Sequence, residues 1–279
     1  MFVKNRYHIL QEIGSGTFGN IYLGEDVQKN KNQVAIKYDS TELGFLRHEA
    51  TMLNYLTQQN TNLQIPHIYW YGKWNTVSGD EKQCIVMSFF NGGTLTKYIQ
   101  KIDSNTLILW MRELLLIIKE IHELNVIHRD IKPDNIMLHH IVKDDVGVLQ
   151  NTTSNIQLID FGLSTFYIDG ETNKHVPRNT IPSSELTGSP LYVSLNTHQG
   201  IKPSRRDDCI QLGYVYLYMS LGGHLPWEGI SMVSSSIIHP TNQERAQLKQ
   251  NYVSQDPLWT SYMQRCMELK YDEKPDYVF

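Results

Sequence analysis

Apolar and polar residues alternate through Tyr7–Ile13, Ile21–Leu23 and Val34–Tyr38, the period-two signature of half-buried strands. A glycine cluster and the turn formers Asn30 and Asn32 separate these runs. From about Leu43 to Leu56 the period becomes helical, with Leu46, Ala50, Leu53 and Leu56 on one face. Two further strand-like runs, His67–Tyr71 and Gln83–Phe89, complete a predicted small sheet with one helix. Beyond Asn91-Gly92-Gly93 the pattern turns mainly helical. Leu107–Leu124, Asp208–Leu221 and Trp259–Glu268 are predicted helices, with short strand-like pieces at Val126–Ile127, Ile136–Leu138 and Ile156–Ile159. The expected architecture is α+β in two parts: a β-rich part over 1–88 and a larger, mainly helical part over 89–279, with a hinge near Phe89–Gly92.

Composition narrows the classes further. The chain has 279 residues, 41% hydrophobic and 19% charged, as ordinary globular proteins do. That is enough for one large domain or two lobes around one cleft. The longest apolar stretch, Leu107–Ile118, is broken by Arg112 and Glu113 and falls short of the roughly 20 residues that cross a bilayer. The N-terminus lacks the basic-then-apolar pattern of a secretory leader. Cys84, Cys209 and Cys266 have neither metal-type spacing nor the number for a disulfide framework, and are expected as buried thiols of a reducing compartment. A net charge of −4 gives no pull towards nucleic acid or anionic membrane, so neither is an expected partner. No repeat or low-complexity linker interrupts the pattern. The chain is expected to begin and end within folded domain, with any regulation inside it or supplied by a partner.

Four motifs carry candidate chemistry. The first, Gly14-Ser15-Gly16-Thr17-Phe18-Gly19-Asn20-Ile21, lies between two predicted strands, where glycines let backbone N–H groups approach a phosphate closely. Alone it equally fits a glycine hairpin with no ligand. No Gly-Lys-Ser/Thr follows, so it is not a Walker loop, and no helix follows to make a dinucleotide turn. The second is Val34-Ala35-Ile36-Lys37, whose lysine could be a solvated strand end. Glu49 in the next helix would pair with it and hold the ammonium against nucleotide phosphates. The third is His128-Arg129-Asp130-Ile131-Lys132-Pro133-Asp134-Asn135, after a long helix. Here Asp130 can accept a hydroxyl proton, Lys132 can face a charged phosphoryl group, and Asn135 can offer an oxygen to Mg²⁺. The fourth, Leu158-Ile159-Asp160-Phe161-Gly162, supplies Asp160 as a hard oxygen donor for Mg²⁺. Each has a bland reading as a turn or surface loop; the four in this order are specific.

These residues resemble the eukaryotic protein kinase superfamily and, within it, the casein kinase 1 group. Ile13–Asp26 is similar to that group's glycine-rich loop, and Thr187–Tyr214 to its downstream segment, with Ser194-Leu195-Asn196 where most kinases carry Ala-Pro-Glu. Leu225–Gly229 and Asp272–Tyr277 are similar too, so the likeness covers about Tyr7 to Phe279. The resemblance implies a bilobal fold with ATP in the interlobe cleft and the γ-phosphoryl group of Mg-ATP transferred to a protein serine or threonine. It implies nucleotide contacts from Ile13, Gly14, Ser15, Gly16, Gly19, Ile21, Lys37 and Glu49. Ala35, Met137 and the backbone near Phe89 would meet adenine, with Met87 as gatekeeper. Asp130, Lys132 and Asn135 would be catalytic, and Asn135 and Asp160 would hold the metal. Asp208 matches a helix residue that steadies the catalytic loop. Lys132-Pro133 implies Ser/Thr specificity. Protein substrates, a monomer, and a cytoplasmic or nuclear location are the further expectations.

The chain also departs from that group. Leu191 stands where the group carries an arginine that reads acidic or phosphorylated substrates, and Ile230–Ile238 replaces a basic run with a segment free of cations. The usual preference for primed substrates is therefore expected to be lost, although Arg178, Arg205 and Arg206 could form another basic patch. The Leu138–Ile156 connection is longer than usual and reads as a solvated loop, and Phe279 comes early relative to the group's last helix. Arg129 could receive a phosphate from Thr180, Ser183, Ser184, Thr187 or Ser189, yet basal activity without phosphorylation is expected. The rivals are a pseudokinase, which normally loses one of Lys37, Asp130 or Asp160, and a small-molecule kinase, which normally lacks the Lys-Pro pair.

Overall fold

Strand alternation decides which face each side chain of the first unit takes. In the computed structural model, which describes residues 1–16, 19–38, 44–75, 79–139, 156–229, 231–233, 236–238 and 240–279, six strands form one antiparallel sheet. β1 (Phe2–Val3), β2 (Tyr7–Gly16), β3 (Gly19–Asp26) and β4 (Asn32–Tyr38) follow in sequence order. After β4 come α1 (Phe45–Gln59), β5 (Ile68–Asn75) and β6 (Glu81–Ser88), and β6 inserts between β4 and β5. Along β4, Val34 and Ile36 turn to one side and pack with Val3, Tyr7, Cys84 and Val86. Ala35 turns to the other and packs with Leu46 and Ala50 of α1 and with Ile85 and Met87. Period two then puts Lys37 on the α1 side. The predicted helical face is the buried one: Leu46, Ala50, Leu53 and Leu56 are all buried, and so is Glu49.

The first compact unit comprises Met1–Asn91 and Gln157–Gly162, so it runs past the expected boundary at 88/89 and takes in the Asp160 segment. Leu158 is tied there by its N–H donating to Gln64 O at 3.0 Å.

The second unit is mainly helical. It contains β7 (Gly93–Thr94), α2 (Ser104–Glu123), β8 (Val126–Ile127) and β9 (Ile136–Leu138). β10 (Ile156–Leu158) leads into the first unit, and β11 (Thr165–Phe166), α3 (Leu195–His198) and α4 (Arg205–Ser220) follow. β12 (Ser231–Val233) and β13 (Ser236–Ile238) form an antiparallel hairpin, before α5 (Asn242–Asn251) and α6 (Pro257–Glu268). β7 pairs with β9 and β8 with β11, both antiparallel. Asp103 caps α2 by accepting from Thr106 N at 2.9 Å. α4 is buried almost all round, from Arg206 to Leu217, as expected of a helix at the centre of its unit. The last residue, Phe279, is buried against the rings of Tyr216 and Tyr262.

Against the sequence pattern, the helix expected from Leu43 begins at Phe45, with Leu43 itself outside the described residues. The pattern missed β1, β7, β11, α3, the β12–β13 pair and α5, all short or too polar to show a buried face. The long connection over 140–155 and the side chains of Ile230–Ile238 lie outside the described residues. Among the described residues no helix is long and apolar enough to cross a membrane, and Cys84, Cys209 and Cys266 are buried free thiols.

Burial makes two leucines a direct test. Leu53 is fully buried in α1, whereas Leu116 on α2 is 54% exposed. Leu53→Ala should cost about 2–5 kcal/mol through lost contacts and a residual cavity. Leu116→Ala should cost under about 0.5 kcal/mol. Denaturant midpoints of the two variants check the contrast.

Candidate active site

Two clusters hold the charged and amide residues proposed for chemistry by sequence, one in each unit. In the first, Lys37 leaves β4 towards α1 and its Nζ donates to Glu49 Oε2 at 2.7 Å. The same Nζ lies 3.4 Å from Asp160 Oδ1. Burial by itself would lower the lysine's pKa, but the two carboxylates outweigh it and raise it above the usual lysine range. The ammonium therefore stays charged at neutral pH. Asp160 has a φ of 64°, a left-handed conformation that few non-glycine residues adopt. Its Oδ1 also accepts from Gly162 N at 3.3 Å, closing a tight turn over the buried Phe161. Strain of this kind persists only where surroundings over-determine it, and it clusters at functional sites.

The glycine-rich residues lie on the β2–β3 hairpin, where Gly14 pairs with Ile21, Ser15 with Asn20 and Gly16 with Gly19. Thr17 and Phe18, at its tip, lie outside the described residues. Ile13 sits at a register shift between Glu12 and Gly14 and is exposed. Gly19 has a φ of 130°, open only to glycine. Ala35 and Met87 are cross-strand partners in one apolar cluster, against which Phe89 packs. Met137, half-buried on β9 opposite Thr94, belongs to the second unit.

In the second unit the loop from His128 to Asn135 is held from beneath by α4. Asp208 Oδ2 accepts from His128 N at 2.7 Å and its Oδ1 from Arg129 N at 2.8 Å. Gln211, one turn on, accepts from Ile131 N at 2.9 Å and donates to Arg129 O at 3.0 Å. These four bonds fix Arg129 at a φ of 73°. Behind Asp208, His122 Nε2 lies 3.0 Å from Oδ2 and its Nδ1 lies 2.9 Å from Tyr277 Oη. Burial lowers the pKa of His122 below the usual histidine range. The neutral ring then donates Nε2–H to Asp208 and accepts from the Tyr277 hydroxyl. Asp208 is itself buried, which raises a carboxylate, but hydrogen bonds from His122 and the loop hold its pKa lower than usual.

Asp130, on top of this support, collects three donors. Oδ2 receives Lys132 Nζ at 2.8 Å and Asn135 Nδ2 at 3.1 Å, and Oδ1 receives Ser189 N at 2.8 Å. A carboxylate offers about four acceptor positions, so one more hydroxyl can be accommodated. Asn135 Nδ2 also donates to Asp130 O at 2.8 Å. That commits the amide nitrogen to Asp130 and leaves the amide oxygen as the end suited to a cation. Lys132 Nζ reaches Ser189 Oγ at 2.9 Å. Gly188 lets this happen: at a φ of 94°, an added Cβ would sit 2.6 Å from Arg129 O.

The structure thus brings Lys37, Glu49 and Asp160 together, and Asp130, Lys132 and Asn135 together. Sequence reading missed His122, Gln211 and Tyr277, and marked Ser189 only as a possible phosphorylation site. Gln211 was accessible, three residues after Asp208 on the same helix face. His122 carried no signal, because a histidine ending an apolar helix is an ordinary residue.

The buried His122 makes stability pH-dependent. Its native pKa lies below the unfolded value of about 6.5, so the unfolded chain binds the proton first. The stability is whole above about pH 6.5 and is lost as pH falls below it. Wild type should lose about 1 kcal/mol more than His122→Gln between pH 7.5 and 5.5, measured by denaturant titration.

A glycine-rich hairpin, a Lys–Glu–Asp cluster and an Asp–Lys–Asn loop occur here in one order on one chain. A family model described as protein kinase domain matches residues 7–271, nearly all of the 279 residues. The chain belongs to the protein kinase family.

Proposed function

We propose that this protein is a serine/threonine protein kinase of the casein kinase 1 type whose reading of acidic or primed substrates is lost. The observation that carries it is the Asp130 carboxylate, oriented by Lys132, Asn135 and Ser189 N–H with one acceptor position to spare. Asp130 accepts the proton of an incoming serine or threonine hydroxyl. Lys132 stabilises charge on the phosphoryl group, and Lys37, kept protonated and oriented by Glu49, neutralises phosphate charge. Asn135 and Asp160 are hard oxygen donors that suit Mg²⁺, which supplies charge neutralisation on ATP when bound. Ile13, Gly14, Ser15, Gly16, Gly19, Ile21, Ala35, Met87, Phe89 and Met137 are the proposed nucleotide contacts. The reading extends to protein substrates, a monomer, a cytoplasmic or nuclear location and basal activity without phosphorylation.

The substrate side rests on charge. Leu191 is neutral and half-buried, and the sequence Ile230–Ile238 contains no cation. A charge-assisted contact contributes about 1.5–3 kcal/mol, so its absence leaves an anionic substrate little advantage. Arg205 and Arg206 donate to the carbonyls of Asp272 and Leu269, which occupies part of the alternative basic patch.

Phosphate incorporation into matched neutral and phosphoprimed peptides tests both parts. The neutral peptide should be turned over at least as well as the primed one, and Asp130→Asn should reduce incorporation by at least a hundredfold. A strong preference for the primed peptide would contradict the altered substrate site. Mg-ATP binding without transfer would favour a pseudokinase.

A further inference from the structure

A buried lysine outside both clusters holds the chain segment that touches Asp130. Lys249, on α5, is only 5% exposed. Its Nζ donates to Val193 O at 2.7 Å and to Pro190 O at 3.0 Å, and lies 3.1 Å from His198 Nε2. The rings of Tyr214 and Trp227 stand beside it, with centroids 5.0 and 5.6 Å from Nζ. A lysine is seldom buried unless its donors are used, and here its polar contacts among the described residues go to one short stretch and the helix after it.

That stretch is a turn with nearly every carbonyl assigned. Ser189 O accepts from Tyr192 N at 2.9 Å and Val193 N at 3.1 Å. Leu191 O accepts from Trp227 Nε1 at 2.8 Å. Lys249 takes the carbonyls of Pro190 and Val193, so one side chain fixes both ends of the turn. Burial, together with nearby Arg245, lowers its pKa to about 6. Two carbonyls and the His198 ring nitrogen take up the three polar positions of its amino group. Burial also lowers the pKa of His198, to about 4, so the ring is neutral.

The position of this turn matters because its first residue is already in the site: Ser189 N–H lies on Asp130 Oδ1 and Ser189 Oγ on Lys132 Nζ. An acceptor hydroxyl must come within hydrogen-bonding reach of the same carboxylate. A residue flanking that hydroxyl then comes close to Ser189, the first residue of the turn. We infer that Lys249 is a positioning residue which, by holding the carbonyls of Pro190 and Val193, fixes the turn against which a substrate polypeptide is presented to Asp130. The inference rests on the proposed role of Asp130 and deepens it: the lysine acts on acceptor binding, through the backbone, without touching nucleotide or acceptor.

The full chain with Lys249→Met, which keeps an unbranched side chain one atom shorter and removes the donors, tests this. The peptide KM should rise about tenfold, while the ATP KM stays within about twofold. Backbone amide exchange at Tyr192 and Val193 should quicken in the same variant. His198→Gln, a milder change at a half-buried position, should shift both readouts in the same direction by less, and it decides the matter if Lys249→Met does not fold. Unchanged amide exchange in the folded variant, or equal rises in both KM values, would overturn the inference. Absence of peptide phosphorylation by wild type would instead overturn the proposed function, and the exchange measurement would still decide the role of Lys249.

Discussion

One buried carboxylate organises the second unit. Asp208 sits in the first turn of α4 and accepts the N–H groups of His128 and Arg129. Backbone N–H groups buried without partners are costly, and a loop bent through a left-handed arginine cannot satisfy them internally. A fully buried anion next to the positive end of a helix dipole supplies the acceptors, and His122 and Gln211 complete the arrangement. Everything chemical on this loop, from Asp130 to Asn135, inherits its geometry from that support. The same logic recurs twice. Asp207 accepts from Ser194 Oγ and Ser204 N, fixing the start of α3 to the start of α4. Lys249 does for carbonyls what Asp208 does for N–H groups.

The first unit reaches its chemistry by a simpler route. A strand period of two puts Lys37 on the face covered by α1, and helix geometry puts Glu49 one turn from Leu46 and beside Ala50. Burial alone would neutralise such a lysine. Two carboxylates keep it charged, and one of them, Asp160, lies at the head of a strained turn. A cation fixed between two carboxylates is preorganised, since little reorganisation would be needed on the arrival of a ligand's negative charge.

Much of this was legible in the sequence, for identifiable reasons. β4 and the apolar face of α1 follow from periodicity, and the Lys37–Glu49 pair follows from both. The Asp130–Asn135 loop and Asp160 were legible because their residue types in that order serve one chemistry. What escaped was support rather than chemistry. His122 and Tyr277 stand 155 residues apart yet share a hydrogen bond, and no local pattern encodes such a distance. Lys249 stood out in no sequence pattern, because burial of a single long side chain leaves no period. α5 was missed for a related reason, since it presents no apolar face in the sequence, and β12 and β13 were missed because three residues are too few to show a period.

The central claim is that Asp208, acting through two backbone N–H groups, holds Asp130 where phosphoryl transfer requires it. The most direct measurement is kcat of Asp208→Asn at saturating ATP and peptide, alongside ATP affinity. Misplacing a catalytic group by about 1 Å can cost about a hundredfold. The account expects kcat to fall by about that factor with ATP affinity within about twofold. An unchanged kcat in a folded Asp208→Asn protein would contradict it.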